Sequence, residues 1–329
     1  MMDSVELSVV VPVYRCEGAL RELHRRLTES LEWTDGSYEI VLVEDRGPDG
    51  SWDVLEELAR TDPHVRAFRL SRNFGQHAAI TAGLSCSRGR WVVVMDCDLQ
   101  DPPEEIRRLY AKASEGYEVV LARRTKKRAS AFRRLASSTY FALMNFFTGT
   151  SIDPGHGSFS IISRKVVDAF LAVKDRDRHY LFVLYWLGFD RASVEYEHGA
   201  RTDGRSSYTL TRLIAHAFQG MFFQTTVLLR WVIYSGLVLA FVGACAALYF
   251  VVARVRGVAY PGWTSLIVLQ LLIGGLVIIS TGVAGLYIGR IFDEVRERPL
   301  FVIDEASEQQ LEPDVPRTER EHARSKGGL

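Results

Sequence analysis

The chain has 329 residues, with 40 acidic and 40 basic residues and therefore no formal net charge at pH 7. This length accommodates one sizeable soluble domain plus a smaller part, and the neutral balance gives no general case for nucleic-acid binding. The acidic N-terminus predicts no signal peptide, because it lacks a basic region. The four cysteines form no C-x-x-C pair, so we expect buried, reduced thiols.

Strands and helices alternate along the first part of the chain. Valine-rich apolar runs predict strands, and apolar residues at helical spacing predict helices between them. The predicted strands are Leu7–Val13, Glu39–Val43, Val65–Leu70, Trp91–Val94 and Glu118–Ala122. The predicted helices are Glu17–Leu31, Ser51–Thr61, a helix from Gln76 to near Cys86, and Pro103–Glu115. This alternation predicts an α/β, Rossmann-like fold with a mainly parallel, doubly wound sheet.

The fourth strand runs straight into two carboxylates, Asp96 and Asp98, which lie one residue apart. Ligands bind at the carboxyl ends of strands in open α/β sheets, and alternate side chains of a strand point the same way. The two carboxylates, with the Gln100 carbonyl, therefore offer oxygen ligands to a divalent cation such as Mg²⁺ or Mn²⁺. A bare D-x-D is more often a solvated turn, but the apolar strand before it and Gln-Asp-Pro-Pro after it favour a metal site.

Basic and apolar segments follow the sheet-forming region. A basic cluster at 123–128 precedes apolar residues at helical spacing over about 129–148. That stretch fits either a helix at the lipid interface or a core helix after a solvated charge run. The segment 206–230 keeps the i, i+3, i+4 pattern more closely, which favours an amphipathic helix at the membrane surface.

Two uncharged apolar runs, 231–253 and 264–289, have the length of membrane spans. They predict a transmembrane hairpin and therefore an integral membrane protein. Arginines flank the hairpin more densely than they occupy its linker, so the positive-inside rule places the large N-terminal domain in the cytoplasm. The tail 290–329 is expected to be cytosolic and largely disordered, since beyond Asp304 it is rich in Glu, Arg and Ser and has no apolar period.

Several motifs follow one another in a fixed order along the chain. They are Val11-Pro12-Val13-Tyr14 with Glu17, Val43-Glu44-Asp45, Arg72-Asn73-Phe74-Gly75-Gln76, and Asp96-Cys97-Asp98-Leu99-Gln100-Asp101-Pro102-Pro103. Together they resemble the family 2 glycosyltransferases of the GT-A fold. A later motif narrows the resemblance to the polyprenyl-phosphate glycosyltransferases, such as dolichol-phosphate mannose synthase: Arg201-x-x-Gly204-Arg205-Ser206-Ser207-Tyr208 ahead of two spans. The resemblance covers about residues 5–298.

The resemblance implies a role for each matching residue. The nucleotide of a nucleotide-sugar donor would be held by Pro12, Tyr14, Glu17, Asp45 and Asp96. A metal ion on the donor diphosphate would be held by Asp96, Asp98 and Gln100, with Asp98 counted as catalytic. The phosphate of a polyprenyl-phosphate acceptor would meet Arg124, Arg128, Arg201 and Ser206. Arginines suit that contact because they bind phosphate with two parallel hydrogen bonds.

The chain departs from this resemblance at the position of the usual general base. Many relatives have Gly-Asp-Phe-Arg where this chain reads Gly157-Ser158-Phe159-Ser160. A phosphate monoester has a second pKa of about 6, so the acceptor arrives largely deprotonated and we predict transfer without a general base. Asp153 is the nearby carboxylate that could substitute, although an acid before Pro-Gly is more often a turn residue. Two further departures are Arg46-Gly47 in place of Gly-Ser and Ser207 in place of Lys.

These features predict an inverting, metal-dependent enzyme that moves one sugar from a nucleotide-sugar to a polyprenyl phosphate on the cytosolic leaflet. One alternative is a processive polysaccharide synthase, but the Gln-x-x-Arg-Trp signature of those enzymes is broken here by Val227 before Arg230-Trp231. Another is a non-catalytic membrane partner of a flippase, against which the retained Asp96 and Asp98 argue. Small residues at i, i+4 in both spans fit packing within the hairpin or a homo-oligomer.

Overall fold

The structure is a computed structural model that describes residues 5–35, 37–125, 153, 155–175, 178–197 and 262–307, with scattered residues between 232 and 256. The chain divides into two compact units. The first comprises Met1–Phe141, Thr150–Ser206 and Pro299–Leu329, and the second comprises Ala142–Gly149 and Ser207–Arg298. Everything described below as the site belongs to the first unit.

The described residues form strands and helices in alternation. The strands are β1 (Leu7–Val13), β2 (Tyr38–Glu44), β3 (Val65–Leu70), β4 (Trp91–Val94), β5 (Val119–Arg124), β6 (His156–Ser163), β7 (Arg191–Tyr196) and β8 (Ile303–Ala306). The α-helices are α1 (Glu17–Leu31), α2 (Ser51–Thr61), α3 (Gln76–Cys86), α4 (Ile106–Ala113), α5 (Arg164–Ala172), α6 (Tyr180–Leu187) and α7 (Trp263–Val295). Two short 3-10 turns cover Glu32–Thr34 and Pro103–Glu105.

One sheet carries the strands in the order β7-β5-β6-β4-β1-β2-β3-β8. The pairs β1–β2, β1–β4, β2–β3 and β5–β7 are parallel, whereas β6 runs antiparallel to both β4 and β5 and β8 runs antiparallel to β3. The predicted α/β fold with a mainly parallel sheet is therefore confirmed. The parallel pairing brings the carboxyl ends of β1, β2 and β4 to the same edge of the sheet.

The sheet is covered by helices on both faces, which explains why its central strands are apolar throughout. Alternate residues of β1 face opposite ways, so Val9 packs in one apolar cluster and Val10 in the other. The first cluster includes the four leucines of α1, namely Leu20, Leu23, Leu27 and Leu31. Each buried leucine stabilises the fold by roughly 2 kcal/mol relative to an exposed one, so α1 is held mainly by this face.

The predicted elements before residue 125 are present, and their ends differ from the prediction only for β2, β5 and the helix after Pro103. The helix expected over Pro103–Glu115 begins as a 3-10 turn and is α-helical only over Ile106–Ala113. The C-terminal tail differs more: Ile303–Ala306, expected to lie in a largely disordered segment, forms β8 on the edge of β3. Ser307 then exchanges hydrogen bonds with the backbone of Ala67. Long-range pairing of this kind leaves no trace in local sequence periodicity.

The expectation of reduced cysteines is wrong for two of the four. Cys16 and Cys97 form a disulfide across a sequence separation of 81, with their Cα atoms 6.3 Å apart. The pairing follows from the fold, because Cys16 follows β1, Cys97 follows β4, and these strands are neighbours. Cys86 and Cys245 are free.

The predicted membrane segments are only partly covered by the described residues. The first span, 231–253, lies mostly outside them, and the amphipathic segments 129–148 and 206–230 lie entirely outside. The second span, 264–289, lies within α7. Taking length and hydropathy together, no helix in the described part of the chain meets the requirement for crossing a membrane. The hairpin therefore stays a prediction.

Candidate active site

Asp96 is the centre of a hydrogen-bonded cluster just beyond the end of β4. Its Oδ1 accepts hydrogen bonds from Gln76 Nε2 over 2.7 Å and from Ser158 Oγ over 2.9 Å. Gln76 is the first residue of α3 and Ser158 lies in β6, so three elements meet at this carboxylate. The sequence predicts no particular hydrogen-bond partner for Ser158. In the structure, the Ser158 hydroxyl donates to Asp96.

The chain turns sharply between Asp98 and Gln100. Leu99 adopts a left-handed conformation with φ 59°, which is uncommon for a leucine and typical of functional loops. The turn brings the Gln100 N–H within 3.2 Å of Asp98 Oδ1, so Asp98 is held by its own loop. Asp96 and Asp98 thus stay close together at the carboxyl edge, as the sequence predicts.

The environment of Asp96 makes this carboxylate keep its proton to a higher pH than an ordinary aspartate. Burial raises the pKa of Asp96 to about 6, and the negative charges of Asp101 and Asp98 add to this rise. The Ser158 hydroxyl and the Arg124 charge oppose it without cancelling it. An additional positive charge at this edge would therefore be stabilised.

The loops after β1 and β2 hold each other through backbone contacts. Glu17 accepts a hydrogen bond from the Gly50 N–H over 3.0 Å, and its own N–H donates to Asp49 Oδ2 over 3.2 Å. Pro12 is buried in β1 and pairs with Val43. Tyr14 is 43% exposed, and the Arg15 guanidinium lies over its ring at 5.3 Å. Of the residues predicted to hold the nucleotide, Tyr14 and Glu17 are exposed, whereas Pro12 and Asp45 are buried.

Asp45 joins the β2 loop to the start of α3. Its two carboxylate oxygens accept hydrogen bonds from the backbone N–H groups of Phe74, over 2.7 Å, and Gly75, over 2.9 Å. Burial raises the pKa of Asp45, and these two donors counteract the rise. Gly75 has φ +97°, a conformation that a side chain would strain. Asp45 thus fixes the loop that delivers Gln76 to Asp96.

A second charged cluster surrounds Arg124 at the end of β5. The Arg124 Nε donates to the Tyr196 hydroxyl over 3.1 Å, and Arg124 Nη2 lies 3.6 Å from Asp101 Oδ1. The Tyr196 hydroxyl donates in turn to Asp101 Oδ1. Asp101 is fully buried, and a buried carboxylate needs such partners to stay charged. Arg124, predicted to meet the acceptor phosphate, is thus placed within electrostatic reach of Asp96.

Both carboxylate oxygens of Asp153 accept hydrogen bonds from neighbouring groups. Its Oδ2 accepts from Arg123 Nε over 2.9 Å and its Oδ1 from the Gly155 N–H over 2.8 Å. Burial acts to raise the pKa of Asp153, but the Gly155 N–H and Arg123 outweigh it and lower that pKa. A carboxylate with a lowered pKa is a weak base.

Three predicted acceptor residues, Arg128, Arg201 and Ser206, lie outside the described residues. Within the described part of the chain, no group of three or more His, Cys, Asp or Glu side chains is placed to hold a metal ion. The sequence alone predicts no role for Gln76, Asp101 or Tyr196. Gln76 and Asp101 belong to motifs that signal the site, whereas nothing in the sequence around Tyr196 marks it.

Comparison with known proteins gives the family. The model of "Glycosyl transferase family 2" matches residues 8–171. An uncharacterized glycosyltransferase of Bacillus subtilis (strain 168), YkcC, is 36% identical over 310 residues, which are 93% of this chain and 95% of the relative. Undecaprenyl-phosphate 4-deoxy-4-formamido-L-arabinose transferase of Proteus mirabilis (strain HI4320) is 36% identical over 302 residues, 91% of this chain and 93% of the relative.

Among solved structures, glucosyl-3-phosphoglycerate synthase from Mycobacterium tuberculosis, in complex with Mn²⁺, UDP-glucose and phosphoglyceric acid, aligns with a TM-score of 0.43 and 18% identity. That alignment covers 66% of this chain and 77% of the synthase. The similarity to the full-length relatives establishes the class: the chain belongs to glycosyltransferase family 2. The protein is therefore a glycosyltransferase, as its motifs predict, and its relatives include an undecaprenyl-phosphate sugar transferase.

Proposed function

We propose that this GT-A glycosyltransferase transfers a single sugar, with inversion, from a nucleotide-sugar to a polyprenyl phosphate at the cytosolic leaflet. The observation that carries the proposal is the pairing of opposite charges at one edge of the sheet. Arg124 acts electrostatically on Asp96, and Asp98 acts on Asp96 in turn. One group of charges suits a cation on the donor diphosphate, and the other suits an anionic acceptor.

The residues present fit a divalent metal ion. Burial raises the pKa of Asp96, and the negative charges of Asp101 and Asp98 add to the rise, so a cation there would offset both the loss of solvation and the repulsion. Mg²⁺ is commonly bound by one or two carboxylates plus substrate phosphates, so a site without a third protein carboxylate is sufficient. Asp96 and Asp98 would hold the ion, with Gln100 beside them, and Mg²⁺ or Mn²⁺ when bound supplies neutralisation of the diphosphate leaving group.

The acceptor phosphate attacks the sugar directly, without a protein base. A phosphate monoester is largely dianionic at neutral pH, so it needs orientation and charge neutralisation rather than proton removal. The lowered pKa of Asp153 and its pairing with Arg123 support this mechanism. Ser158 donates its hydroxyl hydrogen to Asp96 and is not a base. A single direct displacement inverts the anomeric configuration.

The acceptor class is supported by the relative that is named for transfer to undecaprenyl phosphate. A lipid acceptor requires the site to lie at a membrane, and the apolar runs 231–253 and 264–289 would anchor it there. Arg128, Arg201 and Ser206 would complete the phosphate site at the membrane surface. The donor sugar and the nucleotide base are left open.

Radiolabelled sugar transfer tests the proposal. Full-length protein in membranes is given a panel of nucleotide-sugars, undecaprenyl phosphate and Mg²⁺ or Mn²⁺, and the lipid phase is extracted. We expect one labelled lipid carrying one sugar, with transfer abolished reversibly by a chelator. A growing polymer would favour a processive synthase, and no label with any donor would favour a non-catalytic scaffold. Full activity in excess chelator would contradict the role of the metal.

A further inference from the structure

Tyr196 lies directly opposite Arg124 in the sheet. The two residues are register partners in the parallel pair β5–β7, so their side chains emerge side by side. Tyr196 is 3% exposed, and its ring packs edge-on against Phe159 with centroids 5.5 Å apart. This packing fixes the position of the hydroxyl, since a tyrosine ring held on its edge has little rotational freedom.

The hydrogen bonds of this hydroxyl have one possible direction. A guanidinium only donates and an ionised carboxylate only accepts. Arg124 Nε therefore donates to the tyrosine oxygen, and the single tyrosine hydrogen goes to Asp101. Burial and the negative charge of Asp101 raise the pKa of Tyr196, so the hydroxyl stays protonated at neutral pH. Arg124, Tyr196 and Asp101 therefore form a series of hydrogen bonds in which each donor and each acceptor is defined.

The guanidinium is also limited from the side of β6. A Cβ atom at Gly157 would lie 3.0 Å from Arg124 Nη2, a tighter contact than most side-chain carbons make, so the guanidinium would have to shift. Glycine at this position therefore leaves the space that the guanidinium occupies. Tyr196, Asp101 and Gly157 together define one orientation for a long side chain that otherwise has many rotamers.

We propose that Tyr196 is a positioning residue for the acceptor: its hydroxyl, held by Asp101, orients Arg124 toward the acceptor phosphate. This inference rests on the proposed function, in which Arg124 binds that phosphate. Bidentate phosphate binding needs the guanidinium plane in a defined orientation. A displacement of about 1 Å in a substrate-positioning group lowers turnover by up to about 100-fold, so loss of the anchor is measurable.

The test variant is Tyr196→Phe, which keeps the ring and its packing on Phe159 but removes the hydroxyl. We expect the KM for undecaprenyl phosphate to rise about fivefold to tenfold, while the KM for the nucleotide-sugar stays within twofold. Gly157→Ala, which displaces the guanidinium sterically, should give the same pattern. Tyr180→Phe is the matched control: it removes another buried hydroxyl, bonded to Ser160 Oγ over 2.8 Å, and should leave both KM values unchanged.

A coupling measurement separates positioning from a general loss of structure. In an Arg124→Ala background, adding Tyr196→Phe should not weaken the acceptor further, because the residue that Tyr196 orients is gone. An independent further loss in that background would overturn the proposal. So would an unchanged acceptor KM in Tyr196→Phe, or an equal rise in Tyr180→Phe.

Binding of geranyl phosphate to the full-length protein, measured by calorimetry without donor, distinguishes the two levels of the argument. Tyr196→Phe should weaken this binding about fivefold or more relative to the parent. A parent that binds no geranyl phosphate overturns the proposed acceptor class and this inference with it. A parent and a Tyr196→Phe variant that bind it equally overturn the positioning role alone.

Discussion

The proposed donor and acceptor sides of the site are built in different ways. The donor side, formed by the loops after β1, β2 and β4, is held by backbone hydrogen bonds such as those from Phe74 and Gly75 to Asp45. A disulfide between Cys16 and Cys97 joins two of these loops. The acceptor side depends instead on side chains from distant parts of the chain, because Arg124 meets Tyr196 and Asp101.

The two sides therefore differ in how easily single substitutions can change them. A nucleotide diphosphate is a common ligand, and a donor side fixed by the backbone can be shared among enzymes that use different acceptors. An acceptor side built from side chains is changed by single substitutions without altering the sheet. We therefore expect variants on the donor side to abolish transfer, and variants on the acceptor side to shift the KM for the acceptor.

The largest effect is expected for Asp98→Ala on the donor side. Removing a ligand of the proposed metal ion should lower transfer on the order of 1,000-fold, about 4 kcal/mol, because the leaving diphosphate loses its neutralising charge. Transfer kinetics and the thermal unfolding curve are measured together. The control is Asp168→Ala, an exposed acid of α5, which should be fully active. Activity of Asp98→Ala within tenfold of the parent would contradict the metal role and remove the distinction between the two sides.

The disulfide tests how firmly the donor side is held, through its effect on thermal stability. A cross-link of this kind stabilises a domain by about 3 kcal/mol, so reduction should lower the Tm by roughly 6 to 12 °C. A combined Cys16→Ser, Cys97→Ser variant should show the lower Tm with or without reductant, and Cys86→Ser should respond to reductant as the parent does. Thiol titration of the denatured, unreduced chain should find only Cys86 and Cys245 free. Four free thiols would refute the bond.

On the acceptor side, Arg124→Lys should act on the acceptor alone. A lysine keeps the charge but loses the planar fork and the hydrogen bond to Tyr196, so we expect kcat/KM for the acceptor to fall about 30-fold, or about 2 kcal/mol. The KM for the donor is measured in parallel and should stay constant. Arg108→Lys, on the exposed face of α4, is the control. A donor KM that rises as much as the acceptor KM would contradict the division into a donor side and an acceptor side.

A last effect, on the pH dependence of stability, concerns Asp96, which belongs to the donor side and lies within electrostatic reach of Arg124. The pKa of Asp96 is raised from 3.8 to about 6, so between these values the folded protein holds a proton that the unfolded chain has lost. Stability from this group is therefore lost as pH rises through that window, by at most about 3 kcal/mol for a shift of about two pKa units. Asp96→Asn should flatten the dependence of Tm on pH between 4 and 6 in chelator-treated protein. Parallel curves for variant and parent would show that Asp96 titrates normally.

The donor side could be predicted from sequence because its information is local. The apolar run of β4 and the acids directly after it are neighbours in the chain, and parallel strands bring such ends together. Asp96 and Asp98 follow from this pattern, whereas the role of Asp45 follows from the family resemblance of its motif. The disulfide was missed because Cys16 and Cys97 are 81 residues apart, and their proximity depends on which strands pair.

The acceptor side was predicted less completely for the same reason. The role of Arg124 is predicted from the family resemblance, but β6 and β7 carry no strong signal. Burial alternates along β7, which lies at an edge of the sheet, so Tyr196 reads as one apolar residue among several. Its role depends on a register with β5 that no local pattern specifies. Ser158 was expected to pack or hydrogen-bond, and the structure identifies Asp96 as its partner.

Strand β8 determines where the boundaries of the catalytic unit lie along the chain. Because β8 pairs with β3, and the first unit resumes at Pro299, the segment 207–298 is in topological terms an insertion within the catalytic unit rather than an extension from its end. A protein ended at residue 206 would leave the β3 edge uncovered, and uncovered strand edges pair with other chains. Isolating the catalytic unit therefore calls for joining residue 206 to residue 299 by a linker, with both ends of the chain retained.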